Sequence, residues 1–173
     1  MVIAGYMSEF TDLEQVWFVV SPHNPLKLKQ TLLQDYHRLS LVKTAIGSNR
    51  KLKASDIEFK LSKPSFTIHT LAYLHEKFPT EEFVLILGND NLDSFKKWKN
   101  WEQILEQCEL YVYPRKDISE SDLSTHPKVK LIPAPLMEIS SSFIRESIKN
   151  KKDVRYMMPE KVWDYIDDMN FYR

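Results

Sequence analysis

Apolar residues fall into two patterns along this chain. Short unbroken runs of strand length stand at Val16-Trp17-Phe18-Val19-Val20, Phe83-Val84-Leu85-Ile86-Leu87, Leu110-Tyr111-Val112-Tyr113 and Val129-Lys130-Leu131-Ile132. Between them apolar positions recur at helical spacing. Leu32, Leu33, Tyr36, Leu39, Val42, Ala45 and Ile46 form one such set, with Gly47 as its stop. Thr67 through Phe78 forms another, with Ile68, Leu71 and Leu74 on one face and Pro79 closing it. Further helices are predicted at Trp101 to Gln107, Ser142 to Lys149 and Glu160 to Met169, with Pro159 at the first position of the last. Leu52 to Leu61 is read as a strand. Residues 1 to 10 read as an amphipathic helix with Ile3, Tyr6, Met7 and Phe10 apolar, and no strand precedes it. Strands alternating with helices predict βαβ units in an α/β, doubly wound parallel sheet. Helices on both faces would explain strands that are apolar throughout.

Composition narrows the class. The 173 residues suit a single domain spanning the whole chain. Hydrophobic residues at 43% argue for a packed core rather than disorder. Lys plus Arg and Asp plus Glu each number 24, so no basic excess points to nucleic acid or a membrane surface. The single cysteine, Cys108, forbids an internal disulfide and suits a reducing compartment. No apolar stretch has membrane-spanning length, and the start has no secretory pattern, so a cytoplasmic protein is expected. The polar stretch Lys116 to Lys128 reads as a surface loop, with His126 solvated. Cys108 is expected to be a small buried residue.

In open parallel sheets ligands bind beyond the carboxyl ends of strands, so the residues there come first. After Val20 comes Ser21-Pro22-His23-Asn24-Pro25-Leu26-Lys27-Leu28-Lys29, where Lys27 or Lys29 could touch a phosphate or simply be solvated. After Leu87 come Gly88, Asn89 and Asp90; the Asp90 carboxylate suits a ribose hydroxyl, or caps a helix. Trp98 could stack on a flat heterocycle, or fill the core. Ser140, Ser141 and Ser142 crowd a predicted helix start. There free N–H groups and the helix dipole favour an anion, and Arg145 shares their face. That makes a polyphosphate grip, since guanidinium binds phosphate through two parallel bonds, or else a capping serine beside a surface Arg. Pro64-Ser65-Phe66-Thr67 precedes another helix, with Ser65 or Thr67 as its alternative cap. His37, His69 and His75 have no partners at metal spacing. No nucleophile elbow, Walker loop or Gly-rich dinucleotide fingerprint is visible.

The order of these pieces resembles bacterial nicotinate-nucleotide adenylyltransferases from near Met1 to the C-terminus. The strand Val16 to Val20 leads into a Pro-Asn-Pro-Lys type loop, and Arg38-Leu39 with Ala45-Ile46 matches the helix behind it. Pro64-Ser65-Phe66-Thr67 with Thr70-Leu71 looks like Pro-Ser-Tyr-Thr…Thr-Leu, and Gly88-Asn89-Asp90 with Phe95, Trp98 and Ile104 like the Gly-x-Asp…Trp block. Ile139 to Arg145 resembles Ile-Ser-Ser-Thr-x-Ile-Arg, and Pro159-Glu160-Val162-Tyr165-Ile166 the usual ending. The resemblance implies a Rossmann-like nucleotidyltransferase fold. It implies that ATP and nicotinate mononucleotide give deamido-NAD and pyrophosphate, with Mg²⁺ carried on the phosphates. It places ATP at Gly88, Asp90, Ser140, Ser141, Ser142 and Arg145, with Arg145 and Lys27 as the catalytic cations. It places the mononucleotide at Asn24, Ser65, Thr67, Trp98 and Lys99, where Trp98 stacks on the pyridine and backbone near Thr67 and Lys99 holds its carboxylate. A homo-oligomer is possible.

The family opens with a strand and a Gly-x-Phe-x-Pro-x-His-x-Gly-His loop, and Met1 lines up just past it. That strand sits between Val16–Val20 and Phe83–Leu87, so those two runs are expected not to pair with each other, and activity of the chain as it stands is expected to be low. Two alternatives stay open: an adenylyltransferase for nicotinamide mononucleotide or phosphopantetheine, and a nucleotide-binding scaffold without catalysis.

Overall fold

The computed structural model of the protein describes residues 1–22, 33–115 and 121–173. Five strands alternate with seven helices among them: α1 (Val2–Phe10), β1 (Val16–Val19), α2 (Asp35–Ile46), β2 (Leu52–Ser55), α3 (Thr67–Lys77), β3 (Val84–Gly88), α4 (Asn89–Asp93), α5 (Trp101–Gln107), β4 (Glu109–Tyr113), β5 (Val129–Leu131), α6 (Ser141–Lys149) and α7 (Glu160–Asp168). All pairings are parallel. β1 pairs β2 with Val16 opposite Leu52; β3 pairs β4 with Val84 opposite Glu109; β4 pairs β5 with Leu110 opposite Val129. Gly47 ends α2 at φ +58, the left-handed region that glycine enters without a Cβ penalty, and its N–H returns to the Lys43 carbonyl.

The strands form two sheets, β1-β2 and β3-β4-β5, and β1 does not pair β3. This agrees with the expectation from the sequence. One helix face ties the sheets together. Ala4 and the fully buried Met7 of α1 pack with Val16 and Leu52 of one sheet and Tyr111 of the other. Just past α1, Asp12 accepts the Tyr111 hydroxyl, and Lys130 donates to the same oxygen and pairs with Glu109 at 2.7 Å. Trp17 of β1 meets Phe78 and Phe83 edge-on at 5.2 and 6.0 Å.

Several expectations need correcting. The run Leu52 to Leu61 is a strand only to Ser55, and Ile57–Lys60 form a 3-10 turn. The Ser55 hydroxyl accepts the Ile57 N–H, and the Asp56 carbonyl the Phe59 N–H, so local bonding replaces the ladder. Unbroken apolar sequence predicts strands covered on both faces. That holds for Leu110, Tyr111 and Val112 of β4, but Trp17, Phe18 and Val19 of β1 and Val84 to Ile86 of β3 are half-exposed. Among the described residues β1 and β3 each have a ladder on one side only, which makes them edge strands. Phe10, expected on the buried face of the first helix, is 72% exposed and stacks on Tyr6 instead. Within the polar stretch, residues 116–120 lie outside the described ones, while Asp122–Thr125 form a 3-10 turn that buries Leu123. His126 is half-buried and its Nδ1 accepts the Lys128 N–H, so it is not simply solvated. Pro159 is the residue before α7, not its first.

Candidate active site

β3 and β4 run parallel and end together at Gly88 and Tyr113, which register opposite each other. Gly88 caps α4, so Asp90 lies in that helix's first turn rather than at its cap. A Cβ on Gly88 would stand 2.4 Å from Asp90 Oδ1 and 2.7 Å from Arg115 Cδ, so a larger residue here would push these two side chains aside. Arg115 Nη1 reaches Asp90 Oδ2 at 3.8 Å, and the Arg115 N–H donates to Asn89 Oδ1 at 2.9 Å. Arg115 went unremarked in the sequence, although a cation two residues past a buried strand is a signal of the same kind as Asp90.

On one flank of these strand ends lies an aromatic group. Trp98 follows a 3-10 turn, Phe95–Lys97, and its ring stands 5.2 Å from that of Phe95, which is wholly buried. Trp98 is half-buried, and its Nε1–H is buried without a protein partner among the described residues. Ser65 Oγ is likewise buried and partnerless. Unpaired buried donors of this kind are uncommon and mark places where water or ligand completes the bonding. α3 starts at Thr67 with Phe66 as its cap residue and no side-chain cap, so the capping alternative for Ser65 and Thr67 is not what the structure shows. Phe66 and His69 meet edge-on at 5.6 Å, and Lys99 Nζ lies 3.3 Å from His69 Nε2. The Ser65–Thr67 turn and the Trp98–Lys99 segment therefore come together in space.

The serine cluster lies elsewhere. Ser140 caps α6, its Oγ accepting the Phe143 N–H at 3.1 Å. One of the three hydroxyls thus serves as a helix cap. Arg145 donates to Ser142 Oγ at 3.2 Å, so the shared face read from spacing is present. Ser141 is the first residue of the helix. The Arg145 guanidinium also lies 6.0 Å from the Tyr172 ring. Burial pushes the Tyr172 hydroxyl above the usual range, while Arg145 and Arg38 pull it back. Arg38 bonds the carbonyls of Leu33 and Pro22, so it joins the end of the β1 segment to this cluster. The sequence matched Arg38 to the family without giving it a role. Arg145, Ser141 and Ser142 make no hydrogen bond or ion pair with Asp90 or Trp98. Asn24, Lys27 and Lys29 lie outside the described residues. No group of three or more His, Cys, Asp or Glu able to hold a metal occurs among the described residues. His37 is taken up in packing, with Nδ1 3.0 Å from the Tyr165 hydroxyl. Cys108 is buried, as expected, and desolvation pushes its thiol up to about 11.

Residues 5–147 match the Cytidylyltransferase-like family. A "Probable nicotinate-nucleotide adenylyltransferase" of Flavobacterium psychrophilum is 55% identical over 100% of this chain and 91% of its own length. A protein of the same name from Bacteroides thetaiotaomicron is 42% identical over 96% of this chain and 82% of its own. The fold also matches a Plasmodium falciparum nicotinic acid mononucleotide adenylyltransferase complexed with NaAD, at a TM-score of 0.79, 24% identity and coverage of 98% and 88% of the two chains. Parallel strands ending at Gly88–Asp90, the Trp98 flank and the Ser142–Arg145 pair thus occur in a chain that belongs to the cytidylyltransferase-like nucleotidyltransferases, among the nicotinate-nucleotide adenylyltransferases.

Proposed function

We propose that the protein transfers the adenylyl group of ATP to nicotinate mononucleotide, giving deamido-NAD and pyrophosphate in NAD biosynthesis. The observation that carries this reading is 55% identity, along the whole chain, to a relative of that name. The geometry supports it. Trp98 and Phe66, both packed on the same buried cluster, offer aromatic surface for a pyridine ring. Asp90, at a strand end, offers a carboxylate to ribose hydroxyls. Ser142 and Arg145 offer donors to a polyphosphate, with Arg38 and Arg115 as further cations near strand ends.

Chemically, a phosphate oxygen of the mononucleotide attacks the α-phosphorus of ATP. The new P–O bond forms as the bond to the bridging oxygen breaks, and pyrophosphate leaves with that electron pair. No protein nucleophile is needed, so the side chains position the reactants and offset charge. The polyphosphate contacts above are donors and cations rather than carboxylates. A Mg²⁺ ion brought by the phosphates would supply further charge neutralisation there, with Ser142 and Arg145 contacting the phosphates rather than the metal.

The test offers Mg-ATP with nicotinate mononucleotide, nicotinamide mononucleotide or phosphopantetheine. It uses the chain and a version carrying the family's strand and histidine loop ahead of Met1. Deamido-NAD and pyrophosphate formed in equal amounts from the first acceptor by the extended version, with little from the chain as it stands, is the expected result. ATP binding without product in either version would replace this reading with the nucleotide-binding scaffold.

A further inference from the structure

The turn that follows α7 is built at a conformational cost. Asn170 and Tyr172 both stand in the left-handed region, at φ +53 and +66. Asparagine enters that region readily, whereas a bulky residue there is an outlier. Such a residue persists only where its surroundings fix it, and residues of this kind gather at binding and catalytic sites. Phe171, between the two, supplies the fixing. Its N–H returns to the Ile166 carbonyl at 3.0 Å, and its ring meets those of His37 in α2 and Tyr165 in α7 at 4.7 and 6.0 Å. Tyr172 is thereby turned back onto the helices, into the cluster that also takes Leu41 of α2 and Ile144 of α6. Next to Ile144 is Arg145, whose guanidinium lies 6.0 Å from the Tyr172 ring, within reach of the attraction between a ring face and a cation. Arg38 acts on the same side chain: its charge and that of Arg145 both pull the Tyr172 hydroxyl down against burial. The ion pairs among the described residues include neither arginine. Two guanidiniums from different helices, neither neutralised by a carboxylate there, thus converge on one aromatic side chain.

We propose that Tyr172 is a positioning residue for ATP, its ring steering the Arg145 guanidinium, beside Arg38, into the posture that takes a polyphosphate. This rests on the adenylyltransferase reading and adds a residue that none of its phosphate contacts includes. Like charges repel, and an arginine without a carboxylate partner keeps much of its rotamer freedom, which binding must then remove. A carboxylate in this place would restrain the guanidinium but compete with phosphate for it. A ring face restrains it and leaves its charge and its N–H groups to the ligand. Tyr172 itself touches no phosphate and acts through Arg145.

The test measures dissociation constants of Mg-ATP and AMP by calorimetry on the full chain, and the readout is the preference for ATP. Tyr172→Phe keeps the ring and should keep the preference. Tyr172→Leu keeps apolar bulk without a ring face and should reduce it about threefold, the size of one lost contact between a ring and a cation. In an Arg145→Ala background the same substitution should change it by less than about 1.5-fold, since the effect passes through Arg145. Tyr172→Met, a second ringless variant, gives the same readout if the Leu variant does not fold. A role in packing alone would let Leu serve as well as Phe. A preference unchanged in Tyr172→Leu, reduced as much by Phe, or reduced as much without Arg145 overturns the positioning role and leaves the adenylyltransferase reading standing. Wild-type protein that does not favour ATP overturns the phosphate grip as well, and wild-type protein that binds neither nucleotide overturns the adenylyltransferase reading too.

Discussion

The two ends of the site stand on different foundations. The Trp98–Lys99 segment sits on the three-stranded half of the molecule. There Phe95, Ile104 and Leu110 are fully buried in one cluster with Leu71, Leu87 and Val112. The Ser140–Arg145 segment sits on helices instead. α2 contributes no fully buried residue, and α6 and α7 contribute one each, Ile148 and Ile166. With Val154 these make a cluster of three. Packing density fixes side-chain positions, so the aromatic end is held ready-made, whereas the serine and arginine end rests on a layer that costs less to shift. Ring recognition needs fixed geometry, whereas a charged triphosphate tolerates a grip that adjusts.

Deep truncation tests this contrast with the largest effect. Phe95→Ala removes a fully buried ring beneath Trp98 and should cost about 3–5 kcal/mol of stability in urea unfolding. Ile166→Ala, in the thin helical cluster, should cost nearer to about 2 kcal/mol, because a smaller group leaves a site that collapses more readily. Equal losses would break the comparison.

A smaller effect is expected at the other end. Arg145→Ala removes a guanidinium whose contacts are Ser142 Oγ and the Tyr172 ring. Stability should change by no more than about 0.5 kcal/mol. ATP affinity, read by calorimetry, should fall about ten- to a hundredfold, the range for losing a charged hydrogen bond. Arg145→Lys should recover only part, since a point charge does not reproduce the planar fork. Unaltered ATP affinity would remove the phosphate grip from α6 and leave the cluster as helix capping.

The same contrast explains what could be read from the sequence. Unbroken runs such as Phe83 to Leu87, and periodic ones such as Ile68, Leu71 and Leu74, reveal elements because burial writes its period into residue type. β3, β4, α3 and α5 were legible for that reason. The stop of β2 at Ser55 was not, because the local bonds of Ser55 and Asp56 outweigh an apolar tail at Ile57, Phe59 and Leu61. The half-exposure of β1 and β3 contradicts their unbroken apolar runs, yet it fits the resemblance, which leaves these two strands unpaired with each other. Among site residues, the Ser142–Arg145 contact followed from helical spacing. The Lys99–His69 contact joins residues from two elements, and no local period encodes it. Arg115 and Arg38 were visible as cations, but only their reach to Asp90 and to the Pro22 carbonyl gives them a place.

The smallest expected effect is a slope. Desolvation raises the Cys108 thiol from 9.0 to about 11 in the folded protein. A raised pKa means the folded state holds its proton over a range where the unfolded chain has lost it. Stability then falls as pH rises from about 9 through about 11, and below that window it is fully present. One such group limits the slope to about 1.4 kcal/mol per pH unit. Tyr111 and Tyr172 are raised from a starting value of 10.0, Tyr111 by burial and its bond to Asp12, Tyr172 by burial. Their contribution is small near pH 9, grows towards pH 10 and is largest above it. The lower part of the interval, near pH 9, therefore reports chiefly on the deep core, where Cys108 sits among Leu105, Leu110 and Val129. Urea unfolding from about pH 9 upward should show a falling stability that Cys108→Ala makes markedly shallower. A slope that survives the substitution would locate the alkaline sensitivity outside the three-stranded half and deprive the comparison of its titrating marker.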